Sequence, residues 1–460
     1  MKRRLTPVDF DPFADPVEAI KLPLSEAQQE MWAACAMGGE ASCAYNQCFP
    51  LRLSGPLSVP SLAEALRKVT QRHPALRAVF HRDAEYQTVR GEVVVELPVV
   101  DLSTRSEAAR QGEISRLIDG ETHEPFDLEN GPLLRAKLVR EASDRHLLIL
   151  TAHHIVCDGW SAVLLVRDLG ALYAAARHGV EAKLKPPSSY EAYVRARAAG
   201  TPGVAAREAL DWWASRFEVP APSLELPLDR PRPPAKSFAG RQIEWRLDAE
   251  LCREIRKVGA KNGATAFATF LAAFEALLHR LTGQTDLVVG IPVAGQAAIE
   301  DGDLVGHCVN TLPLRVGLAG TASFIEHLRA GKKAFVEAQD HTELTFGSLV
   351  RRLNIPRDPR RTPLVDLTFN VDRAGPPPEF AGLAVQQLPP PKSFVNFELG
   401  MNLVDDGQGI TVECAFNTAL FDERTVRRWL GHYETLLRSI ASNPERPILE
   451  LSILTETERR

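Results

Sequence analysis

The 460-residue chain has no run of about 18 apolar residues, so a membrane-spanning helix is not expected. Its first residues, Met1-Lys2-Arg3-Arg4-Leu5-Thr6-Pro7, lack the apolar core of a signal peptide, which makes the cytoplasm the expected compartment. Cysteine is sparse. The seven thiols, at positions 35, 43, 48, 157, 252, 308 and 414, are odd in number and include no CxxC pair. Neither a disulfide framework nor a zinc site follows from them, and they read as buried thiols. Charge of one sign is not in excess: 54 Lys and Arg against 59 Asp and Glu leave a formal net charge of −5. That balance carries no basic footprint for nucleic acid or an anionic membrane. Low-complexity tracts and obvious internal repeats are missing as well. What remains is a globular composition, 45% hydrophobic, long enough for two ordinary domains.

Punctuation organises the chain. Pro7, Pro12 and Pro16 suggest an extended leader over residues 1–22, with folding expected from about Leu24. Ser25 can cap a helix reaching Met37 before Gly38-Gly39, and Ser61 with Glu64 reads as a capping box for a second helix that stops at His73-Pro74. A third helix, from Trp160, carries Leu165, Leu169, Leu172 and Ala176 on one face and ends at Gly179. Six prolines between Pro220 and Pro234 rule out a central helix or strand there and suggest a crossover. Beyond it, 264–281 reads as a buried helix, 286–292 and 411–416 as strands, and 422–439 as an amphipathic helix. Helices and strands alternate in both halves, which makes the class α/β or α+β.

The most informative segment is His153-His154-Ile155-Val156-Cys157-Asp158-Gly159, an HHxxxDG element between an apolar run (Leu147 to Leu150) and the third helix. Adjacent residues at a strand end point to opposite sides, so one imidazole can face a substrate and the other the protein body. Aspartate can tie such a loop, and glycine leaves room for a ligand. Two neighbouring histidines cannot easily share one ion, so no metal is expected.

Other segments carry a resemblance over nearly the whole chain. Leu24 to Trp32, Arg72 to Phe80, the HHxxxDG element with Trp160-Ser161, Val305 to Arg315, Gln339-Asp340-His341 and Arg357 to Leu364 resemble, in order, motifs of the condensation domain of non-ribosomal peptide synthetases. The fourth motif departs: Tyr190-Glu191-Ala192-Tyr193-Val194-Arg195-Ala196 has alanine where that family carries aspartate and tryptophan. Glu40 to Asn46, Thr368 to Arg373 and Asn396 to Leu399 resemble condensation domains at polyketide/peptide hybrid junctions, which implies a polyketide-type acyl donor.

The resemblance implies two chloramphenicol-acetyltransferase-like lobes in a V-shaped pseudo-dimer with the site at the seam. The corresponding boundaries are 23–190 for the N-terminal lobe, 191–236 for the crossover and 237–460 for the C-terminal lobe. It also implies an upstream acyl or peptidyl carrier protein as donor and a downstream peptidyl carrier protein as acceptor. Each would bring its own phosphopantetheine arm, with no permanently bound cofactor. The end, Leu454 to Arg460, looks like the stretch before an adenylation domain.

The reaction so implied is aminolysis of a thioester. An α-amino group of pKa about 7.7–8.0 is already neutral in roughly a tenth of molecules at pH 7, so the proton shed at the tetrahedral intermediate is the harder moment. His154 is the candidate acceptor of that proton, and the Gly159 N–H the candidate oxyanion donor. His153 is expected to support the loop, Asp158 to hold it through Arg72 or Arg77, with Arg315 less favoured, and Trp160 to support it. Asn310 and Ser161 are candidate channel residues. Trp32, Trp212 and Trp213 read as core, and Ser25 and Gln28 as capping and packing. Two other readings stay open: a free-standing acyltransferase using coenzyme A thioesters, which also carry HHxxxDG, and a silent module that only docks carriers. An ester product is a variant of the first reading.

Overall fold

The structure, a computed structural model, describes residues 19–198, 203–298, 302–356, 358–375 and 378–460. The leader is therefore outside the described residues except at its end. There, Ile20–Pro23 is a strand paired with Tyr86–Val89, which corrects its assignment to an extended linker. Arg357 also lies outside the described residues.

Two larger sheets define two lobes. The first runs in the order Ala384–Gln387, Asn46–Ser54, Arg145–His153, Leu134–Arg140, Val99–Asp101. Its central strand is buried from His146 to His153 because alternate residues feed two apolar clusters: Leu148, Leu150 and Ala152 pack in one, Leu147 and Ile149 in the other. A strand covered on both faces reads as a continuous apolar run rather than an alternation. The second sheet runs Val309–Gly317, Asp286–Ala294, Leu367–Arg373, Leu399–Asp405, Gly409–Asn417, Gly240–Asp248. Helix Ala266–Thr282 covers it and is buried from Ala268 to His279, as its composition predicts; Thr265 caps it and Gly283, at φ 73°, ends it.

The lobes are not contiguous in sequence. Ala384–Gln387, from the half expected to be wholly C-terminal lobe, pairs antiparallel with Asn46–Ser54 and forms the edge of the first sheet. The strap leading to it lies across helix Gly159–His178 at Gly170, where a Cβ would collide with the Glu379 carbonyl oxygen, so only glycine permits the approach. The crossover is likewise more structured than expected, holding helices Tyr190–Ala196 and Val204–Ser215 before the proline-rich stretch.

Helix termini differ in detail. Helix Val59–Arg72 is capped by Ser58, not Ser61, because Pro60 occupies the first turn and Ser58 Oγ accepts from Ser61 N–H. Helix Glu26–Cys35 has the Ser25–Gln28 capping box but stops short of Met37, and a short helix, Gly39–Cys43, follows at once. Among the described residues no single helix is long and apolar enough to cross a membrane.

Candidate active site

The HHxxxDG element leaves strand Arg145–His153 and enters helix Gly159–His178 with Asp158 as its N-cap. Asp158 is buried and receives four neutral donors. Ser161 N–H and Oγ bond Oδ1 at 2.8 and 2.7 Å, Gln296 Nε2 lies 3.0 and 2.8 Å from the two oxygens, and Cys308 N–H reaches Oδ2 at 2.9 Å. Gln296 and Cys308 belong to the second lobe, so one carboxylate both caps a helix and joins the halves. The expected arginine partners are elsewhere. Arg72 binds Asp168 at 2.7 Å, Arg77 the carbonyls of Arg90 and Gly91, and Arg315 the carboxylate of Asp286 at 2.6 Å. Asp168 lies ten residues along the helix from Asp158, about 15 Å by helical rise, and its buried carboxylate takes Arg72 and His73 instead.

Ser161 is not a channel residue. It is fully buried, and its Oγ accepts from Gly306 N–H at 3.0 Å and lies 2.8 Å from the Gly306 carbonyl, stitching loop to loop. Asn310, in a strand, is likewise committed: its amide donates to the Leu344 carbonyl at 2.7 Å and accepts from Phe346 N–H at 3.2 Å. Trp160, half exposed, donates from Nε1 to the Gly302 carbonyl at 2.9 Å.

The two histidines do face different surroundings. His153 is fully buried; its Nδ1 accepts from Ile155 N–H at 3.2 Å, which places the neutral ring's proton on Nε2, 3.6 Å from Cys35 Sγ. His154 is only half-buried. Its Nδ1 is buried without a partner among the described residues, so Nε2 is the nitrogen left to meet a ligand. Burial lowers the His154 pKa, opposed by the negative charge of Asp158. The loop is braced from behind by a buried ring of hydrogen bonds. Gln28 Nε2 donates to the Ile155 carbonyl and to Tyr190 Oη, Tyr190 donates to Gln87 Oε1 at 2.7 Å, and Gln87 donates back to Gln28 Oε1 at 3.0 Å. Gln28 thus has a structural task beyond capping.

Gly159 opens the helix, and its N–H meets no acceptor among the described residues. A Cβ built on it has no atom within 4 Å, so neither packing nor backbone strain demands glycine there. Gly159→Ala is expected to fold normally yet lose about tenfold to a hundredfold in kcat/KM, by crowding the reacting atoms. Comparing unfolding midpoints with turnover checks this.

Residues to which the sequence assigned no role complete the surroundings. His307 stacks edge-on against His154 with ring centroids 5.1 Å apart, and Tyr45 does so at 6.5 Å. Lys392 is exposed, and its charge acts on His154. Behind it, Asn370, Asn402 and Glu413 form a hydrogen-bonded row across the second sheet's more open face. His307 and Tyr45 lie in segments whose resemblance was legible, whereas no local pattern marks Gln296 or Lys392. Cys157 is buried, and its thiol is pushed well up by burial, which removes it as a nucleophile.

Burial pushes His153 and His307 each down to about 3. Both folded-state values lie below the unfolded value near 6.5, so the stability these rings contribute is complete above pH 6.5 and is lost as pH falls toward 3. At pH 5 the His153 ring should cost about 2 kcal/mol, and His307 acts in the same direction. A urea-unfolding series from pH 7.5 to 5 should show this decline, and a flat profile would mean that both rings take up protons without unfolding.

Comparison with known proteins agrees with this geometry. The family model described as "Condensation domain" matches residues 18–460. Among curated proteins, chondramide synthase of Chondromyces crocatus is 35% identical over 446 residues, covering 95% of this chain and 11% of its own length. A linear gramicidin synthase of Brevibacillus parabrevis is 34% identical, with 95% and 9% coverage. The chain thus spans about a tenth of the length of these relatives. Among solved structures, a four-domain nonribosomal peptide synthetase superposes with a TM-score of 0.87 at 19% identity, covering 98% of this chain and 35% of the other. The X-domain from teicoplanin biosynthesis gives 0.82 at 25% identity, with 97% and 99% coverage.

Proposed function

The chain belongs to the condensation-domain family of nonribosomal peptide synthetases, whose known role is amide-bond formation between carrier-bound substrates. From that premise we propose that its seam joins an upstream acyl or peptidyl thioester to the amine of a downstream aminoacyl thioester. Both would be delivered on phosphopantetheine arms of separate carrier proteins. The carrying observation is His154: half-buried, held at neutral charge by burial, with one ring nitrogen left for a ligand in a loop fixed on every side. The amine attacks the thioester carbonyl. His154 takes the proton that the new C–N bond makes acidic, and collapse expels the donor arm's thiolate, to which that proton can pass. The Gly159 N–H, without an acceptor among the described residues and at a helix N-terminus, is suited to bind the oxyanion. Two tethered substrates brought to one point also gain effective molarity.

The hybrid-junction segments support a polyketide-type donor, since Tyr45 from the first of them stands beside His154. An adjoining adenylation domain is part of the same reading. The test offers one acyl group on a carrier protein and on coenzyme A, with an aminoacyl-carrier acceptor, and detects product by intact mass. Turnover of the carrier-bound donor supports the proposal. Preference for coenzyme A would make the chain a free-standing acyltransferase, and carrier binding without product a silent docking module; either would overturn it.

A further inference from the structure

The Asp158 carboxylate is held entirely by uncharged groups. Its donors are one hydroxyl, two main-chain N–H groups and the Gln296 amide, and no Lys or Arg among the described residues comes within ion-pair distance of it. The one amide nitrogen reaches both carboxylate oxygens, at 3.0 and 2.8 Å, and brings none of the charge an arginine would. Gln296 is itself fully buried, and its Oε1 has no partner among the described residues. An orphaned acceptor is a cost that packing alone would not impose at a site where an apolar or cationic side chain could stand.

We propose that Gln296 is a positioning residue for the reaction: it clamps Asp158 across the seam while leaving the carboxylate's full charge to favour protonation of His154. The groups facing His154 make this charge decisive. His153 on the preceding strand, His307 across the seam and Tyr45 beside the first sheet are all uncharged at neutral pH, as burial drives the two imidazoles down and the phenol up. Among the described residues, Lys392 is the cation whose charge acts on the ring, and it opposes protonation. Without the Asp158 charge, a half-buried His154 beside neutral rings and opposed by the Lys392 charge would be a poor acceptor for the proton leaving the amine. With a guanidinium in place of Gln296, the loop would be held equally well and that charge would be cancelled.

The inference rests on His154 as proton acceptor but is tested on the free protein, without turnover. Exchange of the His154 imidazole C2 hydrogen, followed by mass spectrometry over pH, reports that ring's proton affinity. Gln296→Arg should lower it by about 1 pH unit, whereas Gln296→Met, which loosens the clamp but leaves the charge, should move it by less than about a third of that while slowing condensation. Should the arginine variant not fold, Asp158→Asn serves instead, since its new amide can donate to the orphaned Gln296 Oε1; it should give a shift of similar size and sign. Equal midpoints in wild type and in the arginine or asparagine variant would overturn the inference, as would a Met variant shifting as far as Arg. If the shifts appear but His154→Ala still condenses at the wild-type rate, the electrostatic role stands and the assignment of His154 falls.

Discussion

Replacing His154 with alanine is expected to lower the single-turnover rate of amide formation by about 10² to 10⁴-fold, with little change in the urea-unfolding midpoint. The asymmetry follows from the ring's surroundings. It makes no side-chain hydrogen bond among the described residues, so its removal leaves no partner unpaired. Burial favours its neutral form, which is the form able to accept a proton. Rates measured with carrier-bound donor and acceptor, beside an unfolding curve, separate the two effects. Loss of less than about threefold would mean that tethering and the Gly159 N–H do nearly all the work.

Asp158→Ala should show the reverse weighting and cost about 3–5 kcal/mol of stability as well as activity. One truncation removes the N-cap of helix Gly159–His178 and strands Ser161 N–H, Gln296 Nε2 and Cys308 N–H away from water. Arg72→Met is the informative control. If Arg72 held Asp158, the two changes would be strongly coupled; with Arg72 bound to Asp168 instead, their costs should add to within about 0.5 kcal/mol in a double-mutant cycle. Strong coupling between positions 72 and 158 would contradict this arrangement.

The contrast between Asp158 and Asp168 shows how far the sequence could be read. Local pattern announced the loop, because an apolar run, a pair of histidines, an aspartate and a glycine before a periodic helix are a strand, a turn and a capped helix in one stretch of chain. It also announced a buried helix at 264–281, observed at Ala266–Thr282, and the strands beside it. Partner choice was beyond it. Which cation or amide satisfies Asp158 depends on the second lobe folding back over 138 residues to place Gln296, and no periodicity encodes that distance. Asn310 and Ser161 were misread for the same reason: their hydrogen-bonding capacity is visible in the sequence, but the carbonyls and N–H groups that consume it are not. The short strand Ala384–Gln387 gave too weak a signal to show that it crosses to the other lobe.

That crossing strand bears on recombination between related synthetases. A chimaera spliced at the proline-rich stretch would take Asn46–Ser54 from one parent and its edge partner Ala384–Gln387 from the other. The junction would fall between the lobes in sequence, yet the mismatch would fall inside a single sheet and under Gly170, where the strap must fit a helix surface inherited from the first parent. Exchange boundaries that carry residues 379–387 along with the N-terminal half would keep that sheet of one parentage.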